Sequence, residues 1–141
     1  MDTAYFSHLN WLAIAAGAVT YFLLGALWYS LLFKNAWIKG SGVKMDGPEA
    51  KKGPGMLFLI TLVLEFVACF GLAILATKLM LVGGGISSGV KLGLTTGVCF
   101  SAIAITISYL YQMKPLSLSL IDSGYHIVGQ VIAASMICMW P

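Results

Sequence analysis

Three ionisable side chains, Glu65, Asp122 and His126, lie in segments that are otherwise apolar enough to dissolve in lipid. A charge inside a bilayer is costly unless it is paired, hydrated or neutralised, so such residues are candidates for a functional site. Gln130 follows His126 by about one helical turn and extends the polar set. We therefore predict a buried polar cluster made of these four residues.

The spacing of these residues predicts that they converge. At 100° per residue, Asp122, His126 and Gln130 fall on one face of a single helix. With a rise of 1.5 Å per residue, Glu65 lies about 14 Å into its apolar segment, and Asp122 and His126 lie about 10 Å and 16 Å into theirs. Both segments cross the bilayer in the same direction. If the two helices are neighbours, two carboxylates and one imidazole meet near the midplane.

Four roles fit such a group. A carboxylate and an imidazole four residues apart can pass a proton, because histidine titrates near neutral pH. The same side chains could ligate a divalent cation, but no fourth ligand is evident, and we predict neither a metal nor a cofactor. A general base acting on lipid is a third option, although no nucleophile motif accompanies it. In a structural role, Asp122 would bond His126, and a Tyr, Ser or Gln would hold Glu65.

The composition places these residues in a membrane protein. Of 141 residues, 60% are hydrophobic and 9% are charged, with a mean hydropathy of +0.94. Because soluble domains carry about 25% charged residues, a soluble globule is excluded. Four apolar segments each have the roughly 20 residues that cross a bilayer: 11–33, 56–80, 90–112 and 116–139. We predict one all-α domain over residues 1–141, a four-helix transmembrane bundle with a polar loop at 34–55. This organisation leaves no room for a soluble catalytic module, which argues against an enzyme.

The distribution of lysines predicts the orientation of the chain. Six lysines lie on the side of the polar loop and two on the other: Lys34, Lys39, Lys44, Lys51, Lys52 and Lys114 against Lys78 and Lys91. Because Lys resists translocation, we expect the loop in the cytoplasm and both termini outside. The loop lysines either only fix this orientation or also contact anionic headgroups. Asp46, Pro48 and Glu49 predict a short helix in the loop.

A net charge of +3 without a basic cluster interleaved with aromatic residues gives no support to a nucleic-acid partner. The predicted partners are instead the lipid bilayer and other membrane helices. Small residues recur at four-residue steps in the third segment, at Gly89, Gly93, Gly97 and Ser101. The first segment has a shorter version on one face, made of Ala13, Gly17 and Gly25. In lipid, such stripes allow helix backbones to approach closely. The facing helix could belong to the same chain, to a second copy in a homo-oligomer or to a partner membrane protein, and a pore lining is the alternative.

Four motifs are spread along the chain: Asn10–Ala13, Leu24–Ser30, Phe33–Trp37 and Leu120–His126. Together they resemble a family of small prokaryotic membrane proteins catalogued as domain of unknown function 1761. The resemblance implies a four-helix protein of the cytoplasmic (inner) membrane, marks Trp28, Tyr29, Asp122 and His126 as family positions, and implies no activity. Trp28 and Tyr29 could anchor the helix end at the headgroups and pack there, or line a groove for lipid or substrate.

These observations favour three functions. The first is handling of protons or a small solute through the buried polar cluster, as a homo-oligomer. The second is a non-catalytic structural or accessory subunit whose polar cluster locks the bundle. The third is a membrane-embedded enzyme that modifies lipids.

Overall fold

A computed structural model describes residues 3–44, 47 and 53–140. Four of its helices are long and apolar enough to cross a membrane: Trp11–Leu32, Gly55–Lys78, Gly85–Tyr111 and Leu116–Met139. We call them the first to fourth spans. The predicted all-α, four-helix architecture is confirmed, and the protein is a multi-pass membrane protein. A short 3-10 helix, Thr3–His8, precedes the first span.

The third span begins five residues earlier than the apolar pattern predicts, at Gly85 rather than residue 90. Its first turn is Gly-Ile-Ser-Ser, which is too polar to be recognised from hydropathy. Hydropathy marks where a chain crosses hydrocarbon, whereas a helix continues for as long as its backbone hydrogen bonds do. The helix therefore extends beyond the apolar segment.

Two spans contain a π-helical stretch. The first span is α-helical over Trp11–Leu27 and π-helical over Trp28–Leu32. The third span is α-helical over Gly85–Thr96, π-helical over Gly97–Ala102 and α-helical again over Ile103–Tyr111. A π turn inserts extra residues into the helical repeat, which re-aims the side chains around it, and such turns are frequent at functional sites.

An eight-residue helix, Lys34–Ser41, follows the first span, and we call it the connecting helix. It lies against the start of the fourth span, where a Cβ added to Gly40 would meet the Leu118 side chain at 3.2 Å. Lys114 lies between the third and fourth spans, and its Nζ donates to the Ser41 carbonyl oxygen at 2.7 Å, which holds the end of the connecting helix there. The short helix predicted around Asp46–Glu49 falls in residues 45–46 and 48–52, outside the described residues.

The fourth span is the centre of the bundle, since it packs against the first, second and third spans. Half of its most apolar stretch is buried, against 22–28% for the other three spans. The remaining apolar surface of those three spans faces outward, as expected for helices in contact with lipid. Polar side chains on the fourth span therefore face three neighbouring helices.

The glycine stripe of the third span lies against the fourth span of the same chain. A Cβ added to Gly89 or Gly93 would overlap the backbone of Ser135 or Val131. At Gly97 an added Cβ would come within 2.8 Å of Ile127 Cα. The stripe therefore contacts a helix backbone in its own bundle rather than a pore. A homo-oligomer remains a prediction and needs another face of the molecule.

Candidate functional site

The predicted cluster residues lie in the interior of the bundle. Glu65, Asp122 and Gln130 are 6%, 6% and 8% exposed, and His126 is half-buried. Within residues 3–44, 47 and 53–140, no three His, Cys, Asp or Glu side chains are placed to hold a metal ion together. The ionisable side chains are instead connected through four tyrosines, Tyr21, Tyr29, Tyr109 and Tyr125, which we call the tyrosine cluster.

Glu65, on the second span, accepts a hydrogen bond at Oε1 from the hydroxyl group of Tyr125 on the fourth span. Tyr125 is 5% exposed, and its hydroxyl also lies 3.4 Å from the Tyr21 carbonyl oxygen. Gly25 makes room for this contact, because a Cβ there would lie 2.9 Å from the Tyr125 hydroxyl oxygen. Glu65 Oε2 is buried and has no hydrogen-bond partner among the described residues. One carboxyl oxygen is thus held while the other is left unsatisfied.

Asp122 has a different environment, because both of its oxygens are hydrogen-bonded. Tyr29 of the first span donates to Oδ1 at 2.7 Å, and Tyr109 of the third span donates to Oδ2 at 2.6 Å. These lengths are in the range of charge-assisted O–H···O bonds. The carboxyl group therefore connects the first, third and fourth spans at one point.

His126 lies one turn after Asp122 and bonds the fourth tyrosine of the cluster, Tyr21. The Tyr21 hydroxyl is 2.6 Å from His126 Nδ1, and either atom can carry the proton of this bond. Tyr21 is 1% exposed, and its ring fills the space that a Cβ on Gly129 would occupy. In the structural role considered from the sequence, Asp122 would bond His126 directly. The structure shows other partners for both side chains. Each of the two side chains is bonded to a tyrosine of the first span instead.

The ring of Tyr125 brings the three hydrogen-bonded groups together. Its centroid lies 5.3 Å from that of Tyr21, 5.2 Å from that of Tyr29 and 4.8 Å from that of His126. Tilted and edge-to-face contacts at these distances are favourable arrangements for aromatic rings. Glu65 is consequently connected through one phenol to the side chains that bind the other carboxyl group and the imidazole.

The π-helical stretch of the first span directs Trp28 and Tyr29 into the bundle. Trp28 Nε1 donates to the Ile121 carbonyl oxygen at 3.1 Å, and the indole ring packs on Gly124. Both aromatic side chains are half-buried. Their described hydrogen bonds go to the fourth span, so both side chains pack in the bundle. Anchoring at the headgroups and a groove for lipid or substrate stay predictions.

Several further polar and small residues pack the spans against one another. Gln130 Nε2 donates to Ser101 Oγ at 2.5 Å, and Ser101 belongs to the π-helical stretch of the third span. Thr106 and Ser119 share a hydroxyl–hydroxyl bond of 2.8 Å. Gly17 lies where the first, second and fourth spans meet, since an added Cβ would be 3.5 Å from both Ala133 and Cys69 side chains. These contacts are ordinary helix packing.

Sequence reasoning singled out Tyr29 but missed the other three members of the tyrosine cluster. A signal for Tyr21 was present, because it lies four residues after Gly17 and four before Gly25, on the face that packs inward. Tyr109 lies near the end of its span, where aromatic residues usually anchor at headgroups. Tyr125 lies in the Leu120–His126 motif but carries no positional signal of its own. A phenol in an apolar segment is a weaker sequence signal than a charged group. Tyrosine hydroxyls nevertheless make the side-chain hydrogen bonds of Glu65, Asp122 and His126.

Chemically, this interior can hold and pass protons. Phenol, carboxyl and imidazole groups each donate and accept hydrogen bonds, depending on protonation. Ser123, next to Asp122, is also buried, and its hydroxyl has no hydrogen-bond partner in the part of the chain that the structure describes. Among the buried side-chain atoms of the described residues, those without a hydrogen-bond partner are thus Glu65 Oε2 and Ser123 Oγ.

Comparison with known proteins identifies the family. The family model described as "Protein of unknown function (DUF1761)" matches residues 12–138, which include nearly all of the four spans. The chain belongs to this family, so the predicted resemblance is confirmed. No significant match was found among curated proteins or among solved structures.

Proposed function

For this member of the DUF1761 family, we propose that the bundle handles protons, or a small solute together with protons, at Glu65. The observation that carries the proposal is the buried Oε2 atom of Glu65, which has no hydrogen-bond partner among the described residues. Membrane-embedded ionisable residues commonly belong to proton or ion pathways.

The contrast with Asp122 supports this assignment. Leaving a buried polar atom without a partner costs about 1–3 kcal/mol, and more when the group is charged. Asp122 avoids this cost with two tyrosine bonds, whereas Glu65 has one. An ionised Glu65 lacks a donor for Oε2, and a protonated Glu65 lacks an acceptor for a proton on Oε2. A water molecule at Oε2 would satisfy both forms, because it can donate to the ionised carboxylate and accept from the protonated carboxyl group.

The side chains around Glu65 also suit proton movement. Tyr125 bonds Glu65 and contacts the rings of Tyr21 and Tyr29, which bond His126 and Asp122. From a rise of 1.5 Å per residue, Asp122 lies about 9 Å and Glu65 about 15 Å from the loop-side ends of their spans. A proton entering from the loop side would therefore meet the tyrosine cluster before it reaches Glu65.

We propose the same cellular arrangement that the lysines and the family predict. The chain would lie in a prokaryotic cytoplasmic membrane with the loop inside and both termini outside. The Asn10 side chain lies 3.3 Å from the Trp140 carbonyl oxygen, which agrees with an even number of crossings. The third-span glycines contact the fourth span and are not available to a second copy. A homo-oligomer would therefore form through the lipid-facing surfaces of the first, second and third spans.

Proton flux into liposomes tests the proposal. Purified protein is reconstituted around a pH-sensitive dye, and a potassium diffusion potential drives proton entry. We expect wild-type protein to accelerate acidification, Glu65→Gln to return the rate to that of empty liposomes, and Tyr125→Phe to slow it. The matched controls are Glu49→Gln in the polar loop and Tyr111→Phe, since the Tyr111 side chain is 87% exposed. Wild-type flux no greater than that of empty liposomes would contradict the proposal.

A second candidate is a structural or accessory subunit, and the contacts of Asp122 favour it. Its two tyrosine bonds join three spans, as expected of a polar lock. In that case wild-type protein carries no flux, and the protein co-purifies with a membrane partner. Removing the Asp122 bonds then lowers both the unfolding stability and the recovery of the partner.

A further inference from the structure

The connecting helix, Lys34–Ser41, has one face docked on the bundle and one face exposed. The ring of Trp37 contacts that of Tyr29 edge-to-face at 5.6 Å between centroids. On the same face, Gly40 packs on Leu118 of the fourth span. The face turned away from them is exposed and carries Asn35 flanked by Lys34 and Lys39, and Ala36 is exposed at the border between the two faces. This helix is amphipathic and fixed in place at one end of the bundle.

The exposed face lies where the chain leaves the hydrocarbon. Lys34 comes two residues after Leu32, the last residue of the first span. Lys44, just beyond the connecting helix, is exposed as well, and Lys114 is held at the Ser41 carbonyl oxygen. Ammonium groups at this depth face lipid phosphates, because headgroups border the hydrocarbon core.

The charge of the whole chain supports the same reading. The loop side has six lysines against Asp46 and Glu49, a balance of +4, while the opposite side has Lys78 and Lys91 against Asp2, a balance of +1. Basic residues beside a membrane span are attracted to anionic lipids. We propose that the exposed face of the connecting helix is a docking surface for the headgroups of anionic phospholipids.

The connecting helix also contacts the buried site through its docked face. Trp37, on the docked face, contacts Tyr29, and Tyr29 donates to Asp122. A lipid that steadies the connecting helix therefore also steadies one of the two bonds of the Asp122 carboxyl group. The docking surface does not depend on the function proposed for Glu65.

Lipid retention by the full chain in neutral detergent tests the surface. The purified protein is mixed with phosphatidylglycerol or phosphatidylcholine, and bound lipid is counted by native mass spectrometry. We expect preferential retention of phosphatidylglycerol and about fivefold weaker binding in Lys39→Gln, from the attraction typical of one basic residue near anionic lipid. Lys34→Gln combined with Lys39→Gln should weaken binding further.

Lys91→Gln is the matched control, because Lys91 is exposed on the opposite side of the bundle. It should leave retention of phosphatidylglycerol unchanged. Equal retention of the two lipids, or equal losses in Lys39→Gln and Lys91→Gln, would overturn the docking surface. Displacement of phosphatidylglycerol by millimolar inorganic phosphate would show that free phosphate is the ligand and would overturn the lipid assignment.

Discussion

The two tyrosine bonds of Asp122 allow a quantitative test by a double-mutant cycle. Tyr109→Phe removes one hydroxyl donor and leaves Oδ2 of Asp122 without it. Hydrogen bonds between side chains in membrane proteins contribute about 0.6 kcal/mol on average and at most about 1.7 kcal/mol. A bond to a charged group contributes about 1.5–3 kcal/mol in soluble proteins. For a bond of 2.6 Å we therefore expect Tyr109→Phe to cost about 1–2 kcal/mol of unfolding free energy.

The second substitution of the cycle is Asp122→Asn. A neutral amide oxygen accepts roughly half as strongly as a carboxylate, so Tyr109→Phe should cost about half as much in a protein that already carries Asp122→Asn. The expected coupling energy between the two positions is about 0.5–1 kcal/mol. Coupling of this size requires direct contact between the side chains, since distant substitutions add to within about 0.5 kcal/mol.

Unfolding is measured in mixed micelles with rising dodecyl sulfate, followed by tryptophan fluorescence. Trp28 is a suitable reporter, because its indole donates to the Ile121 carbonyl oxygen, one residue before Asp122. Tyr111→Phe is the control, since Tyr111 lies two residues after Tyr109 and is 87% exposed. If Tyr109→Phe costs no more than Tyr111→Phe, or costs the same with and without Asp122→Asn, the lock at Asp122 does not exist.

Two further predictions concern packing and orientation. Gly93→Ala should destabilise the protein by about 1–3 kcal/mol in the same unfolding assay, because the new methyl group overlaps the Val131 backbone. Gly71→Ala is the control and should be neutral or stabilising, since a Cβ at Gly71 has nothing within 4 Å. In a cysteine-free background in intact cells, an impermeant maleimide should label Val82→Cys directly and Lys44→Cys only after permeabilisation; the reverse order would refute the predicted orientation.

Much of the fold could be predicted from the sequence because membrane insertion depends on composition. The four spans follow from long apolar segments, and glycines at four-residue steps predict that the third span approaches another helix closely. That the other helix is the fourth span of the same chain is known only from the structure. The π-helical stretches at Trp28–Leu32 and Gly97–Ala102 could not be predicted. Neither stretch contains a proline. Side chains of both stretches bond the fourth span, Trp28 and Tyr29 from the first and Ser101 from the second, and such tertiary contacts are not visible in the local sequence.

The candidate site was predictable only in part, for a physical reason. Ionisable residues are conspicuous in an apolar segment, so Glu65, Asp122 and His126 were found directly. A tyrosine was among the residue types expected to hold Glu65, and Tyr125 does so. The tyrosines that bond Asp122 and His126 were not predicted, because a tyrosine satisfies both lipid and water and gives no signal when it faces inward. Asp122 and His126 share a helix face, but rather than bonding each other, each is bonded to a tyrosine of the first span.

The unequal environments of the two carboxyl groups imply a division of roles. Replacing Asp122 disturbs two bonds that join three spans, so loss of activity in such a variant could reflect loss of structure. Replacing Glu65 by Gln is different, because the amide oxygen of Gln can still accept the Tyr125 bond. The amide nitrogen then takes the place of Oε2, which makes no bond in the described residues. Glu65→Gln should therefore preserve the fold while removing the titratable proton. A stable Glu65→Gln protein without flux would support proton handling, and a stable variant with wild-type flux would assign the movement of protons to another group.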